Sequence, residues 1–250
     1  MIRRLLIKGE MIIMKKSNCD HCLNQLCFHK VPILASLSHE DILKISSLIG
    51  HHEYKKGDVL LQDGDKTESI VIINEGSAKA YKITADGREQ ILYVFTEGDF
   101  FGEQNLLGGK TATYSVEALQ PLKTCTLSKT EFQQLLFDYP DIAVKIIEEL
   151  GSRMERLENA LQSMGVRNVD NRIGAILLEF AAKYGTETKD GTLIQLPLSR
   201  EGIANYLGVA RETVSRKLGQ LENDGIIRSV NNKSILILDQ ESLETLSGAV

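Results

Sequence analysis

The sequence predicts an α+β chain: an N-terminal β-roll, one long helix and a C-terminal winged helix-turn-helix. Three observations carry this expectation. Glycine turns recur about every eleven residues between His51 and Ser128, separating short apolar or alternating segments. From Pro140 the apolar period changes from two to heptad spacing. Two short helical patterns around Leu207-Gly208-Val209 are then followed by a polar-tipped hairpin pattern.

Taken in order, residues 1–30 form an N-terminal extension, 31–138 the roll, 139–166 the long helix and 167–250 the second domain. Met1 to Lys16 reads as a short amphipathic extension without a signal-peptide core or cleavage site. No apolar run approaches the roughly 18–20 residues of a membrane helix, so a soluble, cytoplasmic chain without membrane association is expected. Ser38-His39-Glu40-Asp41 caps a short helix with Ile42, Ile45 and Ile49 on its apolar side. Strands are expected at Ile70-Val71-Ile72-Ile73, from Ala78 to Ile83 and from Gln90 to Phe95.

The long helix carries Ala143, Ile147, Leu150, Met154, Leu157, Leu161 and Met164 at alternating spacings of four and three. Such a seam can lie on the chain's own roll, but its strict 3.5 period and length favour pairing with a second copy as a parallel homodimer. Glu148, Glu149, Arg153, Glu155, Arg156 and Glu158 form the wet side.

In the second domain, Ser199 can cap a helix that buries Ile203, Ala204 and Leu207, with Arg200 and Glu201 in its first turn. The next helix places Val214, Leu218 and Leu221 on one side and Arg211, Glu212, Ser215, Arg216 and Lys217 on the other. A helix entering the major groove needs donors for guanine O6/N7, acceptors for cytosine N4 and cations for phosphates. Arg211, Glu212 and Arg216 supply them. A hairpin with Lys233 near its tip completes a wing. The net charge of −5 provides no general attraction to nucleic acid, so contact with double-stranded DNA must be local.

Three of the four cysteines, Cys19, Cys22 and Cys27, crowd into one loop, and Cys125 stands apart in a late strand of the roll. Without a secretion signal this argues for a metal or redox switch over a structural disulfide framework. Four thiolates suit an iron–sulfur cluster or zinc, which stand level on the residues alone, whereas a dithiol switch needs two. His21 and His29 interleave the cysteines and could ligate zinc or haem, but histidines in a polar loop read as bystanders, as do His51 and His52 before the first strand. No nucleophile–base motif, Walker loop or dinucleotide fingerprint suggests an enzyme.

Together these features resemble the Crp/Fnr family of bacterial transcriptional regulators over nearly the whole chain, the roll resembling that family's cyclic-nucleotide-binding domain. Glu212, Ser215 and Arg216 are similar to the Fnr branch, implying TTGAT-like half-sites; Arg211 before the glutamate resembles the Crp branch, implying TGTGA-like ones. The resemblance implies a palindromic target and RNA polymerase as a partner. Gly102-Glu103 matches the family's ribose-binding pair, but Lys110-Thr111-Ala112-Thr113-Tyr114 occupies the stretch of its phosphate-binding Arg-Ser pair, so no cyclic nucleotide is expected. The cysteine arrangement resembles Fnr proteins, with four residues between Cys22 and Cys27 where the enterobacterial pattern has five. This implies oxygen or redox sensing through a 4Fe–4S cluster, with zinc or a thiol switch sensing another small effector as the alternative.

No seam position between Ala143 and Met164 is charged. The dimer is therefore expected to persist with or without metal and to switch by geometry, because dissociating sensors need a marginal seam. Sedimentation of the metal-free protein in air checks this, and a mainly monomeric species at micromolar concentration refutes it. Leu157→Asp should weaken dimerisation and DNA binding together.

Overall fold

The computed structural model describes residues 48–109, 111–166 and 168–248, the strands Arg4–Ile7 and Glu10–Ile13, and residues 31, 34, 38, 40, 41 and 45. The chain divides into two compact units, one of Met1–Ala80 with Val94–Leu150 and one of Tyr81–Tyr93 with Gly151–Val250.

The N-terminal strands β1 (Arg4–Ile7) and β2 (Glu10–Ile13) pair as an antiparallel hairpin. The roll follows as β3 (Gly50–Tyr54), β4 (Val59–Leu61), β5 (Ser69–Glu75), β6 (Ser77–Ile83), β7 (Glu89–Thr96), β8 (Phe100–Phe101), helix α1 (Glu103–Gly108), β9 (Ser115–Ala118) and β10 (Leu122–Ser128). Among the described residues these roll strands form two four-stranded sheets, ordered β3-β10-β5-β8 and β4-β9-β6-β7. Two turns require glycine. At Gly76 (φ 96°) a Cβ would lie 2.4 Å from the Pro121 carbonyl, and at Gly102 (φ 95°) one would lie 2.7 Å from that of Ser69.

Ser128 ends β10 and starts α2 (Lys129–Asp138) through a reciprocal cap: its hydroxyl accepts from the Glu131 N–H and its own N–H donates to the Glu131 carboxylate. Pro140 then opens α3 (Pro140–Val166), where its missing N–H costs no helical bond. One core joins these elements: Ile70, Ile72, Phe100, Cys125 and Leu127 from the sheet, Phe132 and Leu135 from α2, Ile142 and Ile146 from α3, and Val31, Leu34, Ile45 and Ile49 from the segment before β3.

The helix α3 presents its seam differently from the expected pattern. Ile142 and Ile146 are buried in the core and Leu150 packs against it, so Leu150 serves the chain's own roll. Val144, Ile147 and Met154 are 53%, 67% and 61% exposed, and with Gly151 they follow at spacings of three, four and three. Ala143 is half-buried. The cause is that α3 has two apolar stripes, and the roll takes the one set by Ile142 and Ile146. Leu157, Leu161 and Met164 lie on the helical backbone, with side chains outside the described residues.

The second unit contains α4 (Val169–Tyr184), β11 (Gly185–Thr188), β12 (Gly191–Gln195), α5 (Arg200–Leu207), α6 (Arg211–Asn223), β13 (Ile227–Asn231), β14 (Ser234–Ile237) and α7 (Gln240–Ser247). Its sheet runs β11-β12-β14-β13. Ile173, Ile176, Leu177 and Phe180 on α4, Ile203 and Leu207 on α5, Val214 and Leu218 on α6 and Leu243 on α7 are buried within it. None of the described helices is long and apolar enough to cross a membrane.

Tyr139, between α2 and α3, donates its phenol proton to Asp41 Oδ1 at 2.5 Å. That bond, burial and the nearby carboxylates of Asp41 and Asp138 push its pKa up to about 12. Because the folded value exceeds the ordinary value near 10, the stabilisation is complete below about pH 10 and is lost as pH rises toward 12. Ultraviolet titration should show one of the seven tyrosines ionising near pH 12. Tyr139→Phe should remove that step and lower the melting temperature at neutral pH; simultaneous ionisation of all tyrosines near pH 10 would contradict the bond.

Candidate nucleic-acid interface and metal centre

The helix-turn-helix is fixed by local chemistry. The Ser199 hydroxyl accepts from the Gly202 N–H at 3.1 Å, capping α5, whose buried face is Ile203, Ala204 and Leu207. Gly208 ends it in the left-handed region at φ 65°, and the Val209 N–H returns to the Ala204 carbonyl at 3.0 Å. The chain then enters α6 at Arg211, with Ala210 at the cap and no side-chain acceptor on the first-turn amides.

Burial of Val214, Leu218 and Leu221 orients α6. Arg211, Glu212 and Arg216 are thereby exposed and Ser215 half-exposed. Glu212 and Arg216 are one helical step of four apart, as are Arg211 and Ser215, so the four share one end and one side of the helix. Two guanidinium groups can donate in pairs to guanine or phosphate, and the carboxylate between them can accept from cytosine.

Lys217 is placed differently from the other four. Its side chain is 21% exposed, and its ammonium lies 2.6 and 2.8 Å from the two carboxylate oxygens of Asp170 on α4. It joins α6 to α4 and is not part of the exposed face; phosphate contact would require breaking that pair. Arg200 is half-buried, and Ser199, though exposed, uses its hydroxyl as the cap. Lys233 is exposed at the tip of the β13–β14 hairpin, where its N–H donates to Asn231 Oδ1 at 2.8 Å.

Several positioning contacts join residues distant in sequence. Glu222, near the end of α6, accepts from the Ser229 N–H at 2.8 Å and so ties the wing to the recognition helix. Arg172 on α4 donates to the Leu207 carbonyl at the end of α5. Within the same unit, Gln90 Nε2 donates to the Tyr206 carbonyl at 3.2 Å and Asn205 Nδ2 to Glu89 Oε1 at 3.3 Å.

Cys125 is 5% exposed on β10, the strand between β3 and β5. His51 stands opposite it on β3 and Ile72 opposite it on β5. Its Sγ is 3.6 Å from His51 Nδ1. Cys19, Cys22 and Cys27 lie outside the described residues. Val31, four residues after Cys27, shares the core that contains Cys125. Among the described residues no three His, Cys, Asp or Glu side chains gather as a metal site. Cys125 is the described member of the expected ligand set, and a soft thiolate in apolar surroundings suits iron–sulfur or zinc.

At the other candidate ligand position, Gly102 leads into Glu103, which is 2% exposed at the start of α1. Ala112 donates to the Asp65 carbonyl at 2.8 Å and accepts from the Gly64 N–H at 2.9 Å, so this stretch pairs with the 64–65 turn. Lys110 lies outside the described residues.

Residues 51–139 match the cyclic nucleotide-binding domain and residues 171–246 the Crp-like helix-turn-helix domain. The chain is 31% identical over 218 residues to the probable transcriptional regulator flp of Lacticaseibacillus casei, covering 87% of this chain and 96% of that protein. It is 26% identical to the transcriptional activator protein FnrA of Stutzerimonas stutzeri over 238 residues, 94% of each chain. Its fold is similar to that of a CooA mutant from Carboxydothermus hydrogenoformans, with a TM-score of 0.74 at 22% identity over 87% of this chain and 95% of that one. With a sensor-type roll and a Crp-like helix-turn-helix matched in this order, and a regulator matched almost end to end, the chain belongs to the Crp/Fnr family of DNA-binding transcriptional regulators, which are not enzymes.

Proposed function

We propose that this regulator works as a homodimer that reads a palindrome and responds to oxygen or redox state through an iron–sulfur cluster, of 4Fe–4S type, on Cys19, Cys22, Cys27 and Cys125. The DNA reading rests on one observation: Arg211, Glu212 and Arg216 are exposed together in the first turns of α6, whose Val214, Leu218 and Leu221 are buried. Half-sites sharing a GA core, TTGAT- or TGTGA-like, follow from the family resemblance of those residues. The exposed stripe of Val144, Ile147 and Met154 supports a second copy packed along α3. RNA polymerase is the further partner that the family suggests.

The sensor reading rests on Cys125, buried in the core to which the chain returns four residues after Cys27. One relative bears the name transcriptional activator protein FnrA, and the cysteine arrangement of this chain resembles that of Fnr proteins. When bound, an iron–sulfur cluster supplies a centre whose integrity responds to oxygen. Cys125 would hold it on the central strand while the N-terminal cysteines tie the preceding segment to that strand. Release of those bonds would loosen Val31 and Leu34 in a core that also contains Ile142 and Ile146 of α3. A shift of α3 alters the spacing of two recognition helices, which must lie about one DNA turn apart. A population shift between two dimer geometries is then sufficient.

Anaerobically purified protein should contain about four iron and four acid-labile sulfide per chain, and Cys125→Ser should lose most of both. Stoichiometric zinc without iron would replace oxygen sensing with a structural site, and neither metal would leave a thiol switch. On DNA, Arg216→Ala should cost about 1–3 kcal/mol at the matched base pair, and Lys233→Ala should instead reduce the salt slope by about 1. Lys217→Ala should chiefly lower the melting temperature, since its partner is Asp170. Equal weakening of every DNA sequence by the Arg216 and Lys233 changes would reject the readout assignment.

A further inference from the structure

We propose that His51 is a positioning residue for the sensor thiolate: its Nδ1–H donates to Cys125 Sγ and makes that sulfur, when it ligates iron, harder to oxidise. The inference rests on the cluster reading above. Cys125 and His51 are directly opposed in the antiparallel β3–β10 pair, and Sγ and Nδ1 are 3.6 Å apart. Sulfur is larger than oxygen, so this separation is ordinary for an N–H···S contact. An imidazole nitrogen either donates or accepts, depending on tautomer, but a thiolate only accepts. A ligating Cys125 therefore selects the tautomer with its proton on Nδ1. On the opposite flank β5 sets Ile72 beside Cys125, a side chain with nothing to donate.

The surroundings strengthen the interaction. Cys125 lies among Ile70, Ile72, Phe100 and Leu127, and in such an apolar setting a hydrogen bond is stronger than in water. Hydrogen bonds to cluster sulfurs withdraw charge and raise the reduction potential, and outer groups of this kind tune metal centres generally. His52 serves as the internal comparison. Strand alternation turns it to the other face, where its ring lies 6.3 Å from that of Tyr54.

The test uses the full chain, reconstituted anaerobically, as wild type, His51→Leu, His51→Asn and His52→Leu. Asparagine places an amide nitrogen near the Nδ1 position. Iron and sulfide content, midpoint potential and the rate at which air bleaches the cluster absorbance are measured. All four proteins should hold the same iron. His51→Leu should shift to a more negative potential and bleach several-fold faster, His51→Asn should recover most of both, and His52→Leu should match wild type. An iron-replete His51→Leu with unchanged potential and bleaching would overturn the role of His51 alone. Loss of iron from both His51 variants would overturn it too, by making His51 a ligand. Zinc without iron in the wild type would overturn the cluster reading itself, and is seen before any variant is compared.

Discussion

Strand β10 is held between β3 and β5, and its core-facing side chains set what the first unit can do. Cys125 and Leu127 point into the apolar core shared with Val31 and Leu34 before the roll and with Ile142 and Ile146 after it. The strand also runs without a break into the Ser128 cap of α2, and α2 passes through Tyr139 into α3. A chemical event at one sulfur thus lies within a few side chains of both the segment that follows the cysteine run and the helix that carries the exposed apolar stripe. Close packing supplies the coupling, since a packed core transmits a displacement instead of absorbing it.

The helix α3 illustrates how a periodic sequence can satisfy two partners. Its 27 residues contain a stripe set by Ile142 and Ile146, which the roll buries, and a second stripe of Val144, Ile147, Gly151 and Met154. The two stripes lie on different sides because Ile146 and Ile147 are about 100° apart around the axis. A rotation of the helix that improved one contact would change the other. That arrangement would suit the proposed switch by geometry better than one by assembly, because the exposed stripe would stay apolar while the core set the position of α3.

Local rules made much of this architecture legible. Glycine turns gave the roll, and a Ser199 cap followed by Gly208 gave the helix-turn-helix, because caps and left-handed turns depend on neighbours a few residues away. The recognition face was legible for the same reason: Val214, Leu218 and Leu221 define it by period alone. What escaped depends on long-range pairing. Nothing local to Lys217 reveals Asp170 on another helix, so a cation on the helix surface read as a phosphate contact. Leu150 fits a heptad equally well whether a second chain or its own roll covers it. His51 read as a bystander because its relation to Cys125 exists only through the register of two strands far apart in sequence. The spacing of His51 and Cys125 carries no signal that would have joined them.

The pairing of Lys217 also changes how DNA affinity must arise. With that ammonium held by Asp170, the cationic groups left on the exposed side of α6 are Arg211 and Arg216, with the Glu212 carboxylate between them. The whole chain carries a net charge of −5, so its overall field opposes approach to a polyanion. Nonspecific binding depends mainly on phosphate neutralisation and counterion release, which this helix supplies sparingly. One recognition helix alone is then a weak ligand, and in the proposed homodimer two joined through α3 would gain affinity because the second half-site is engaged at high effective concentration. That gain would disappear when the spacing of the pair no longer matched the proposed palindrome. In the proposed dimer, a sparingly charged recognition helix would make dimer geometry the controlling variable, so that a small displacement of α3 would act as a large change in occupancy.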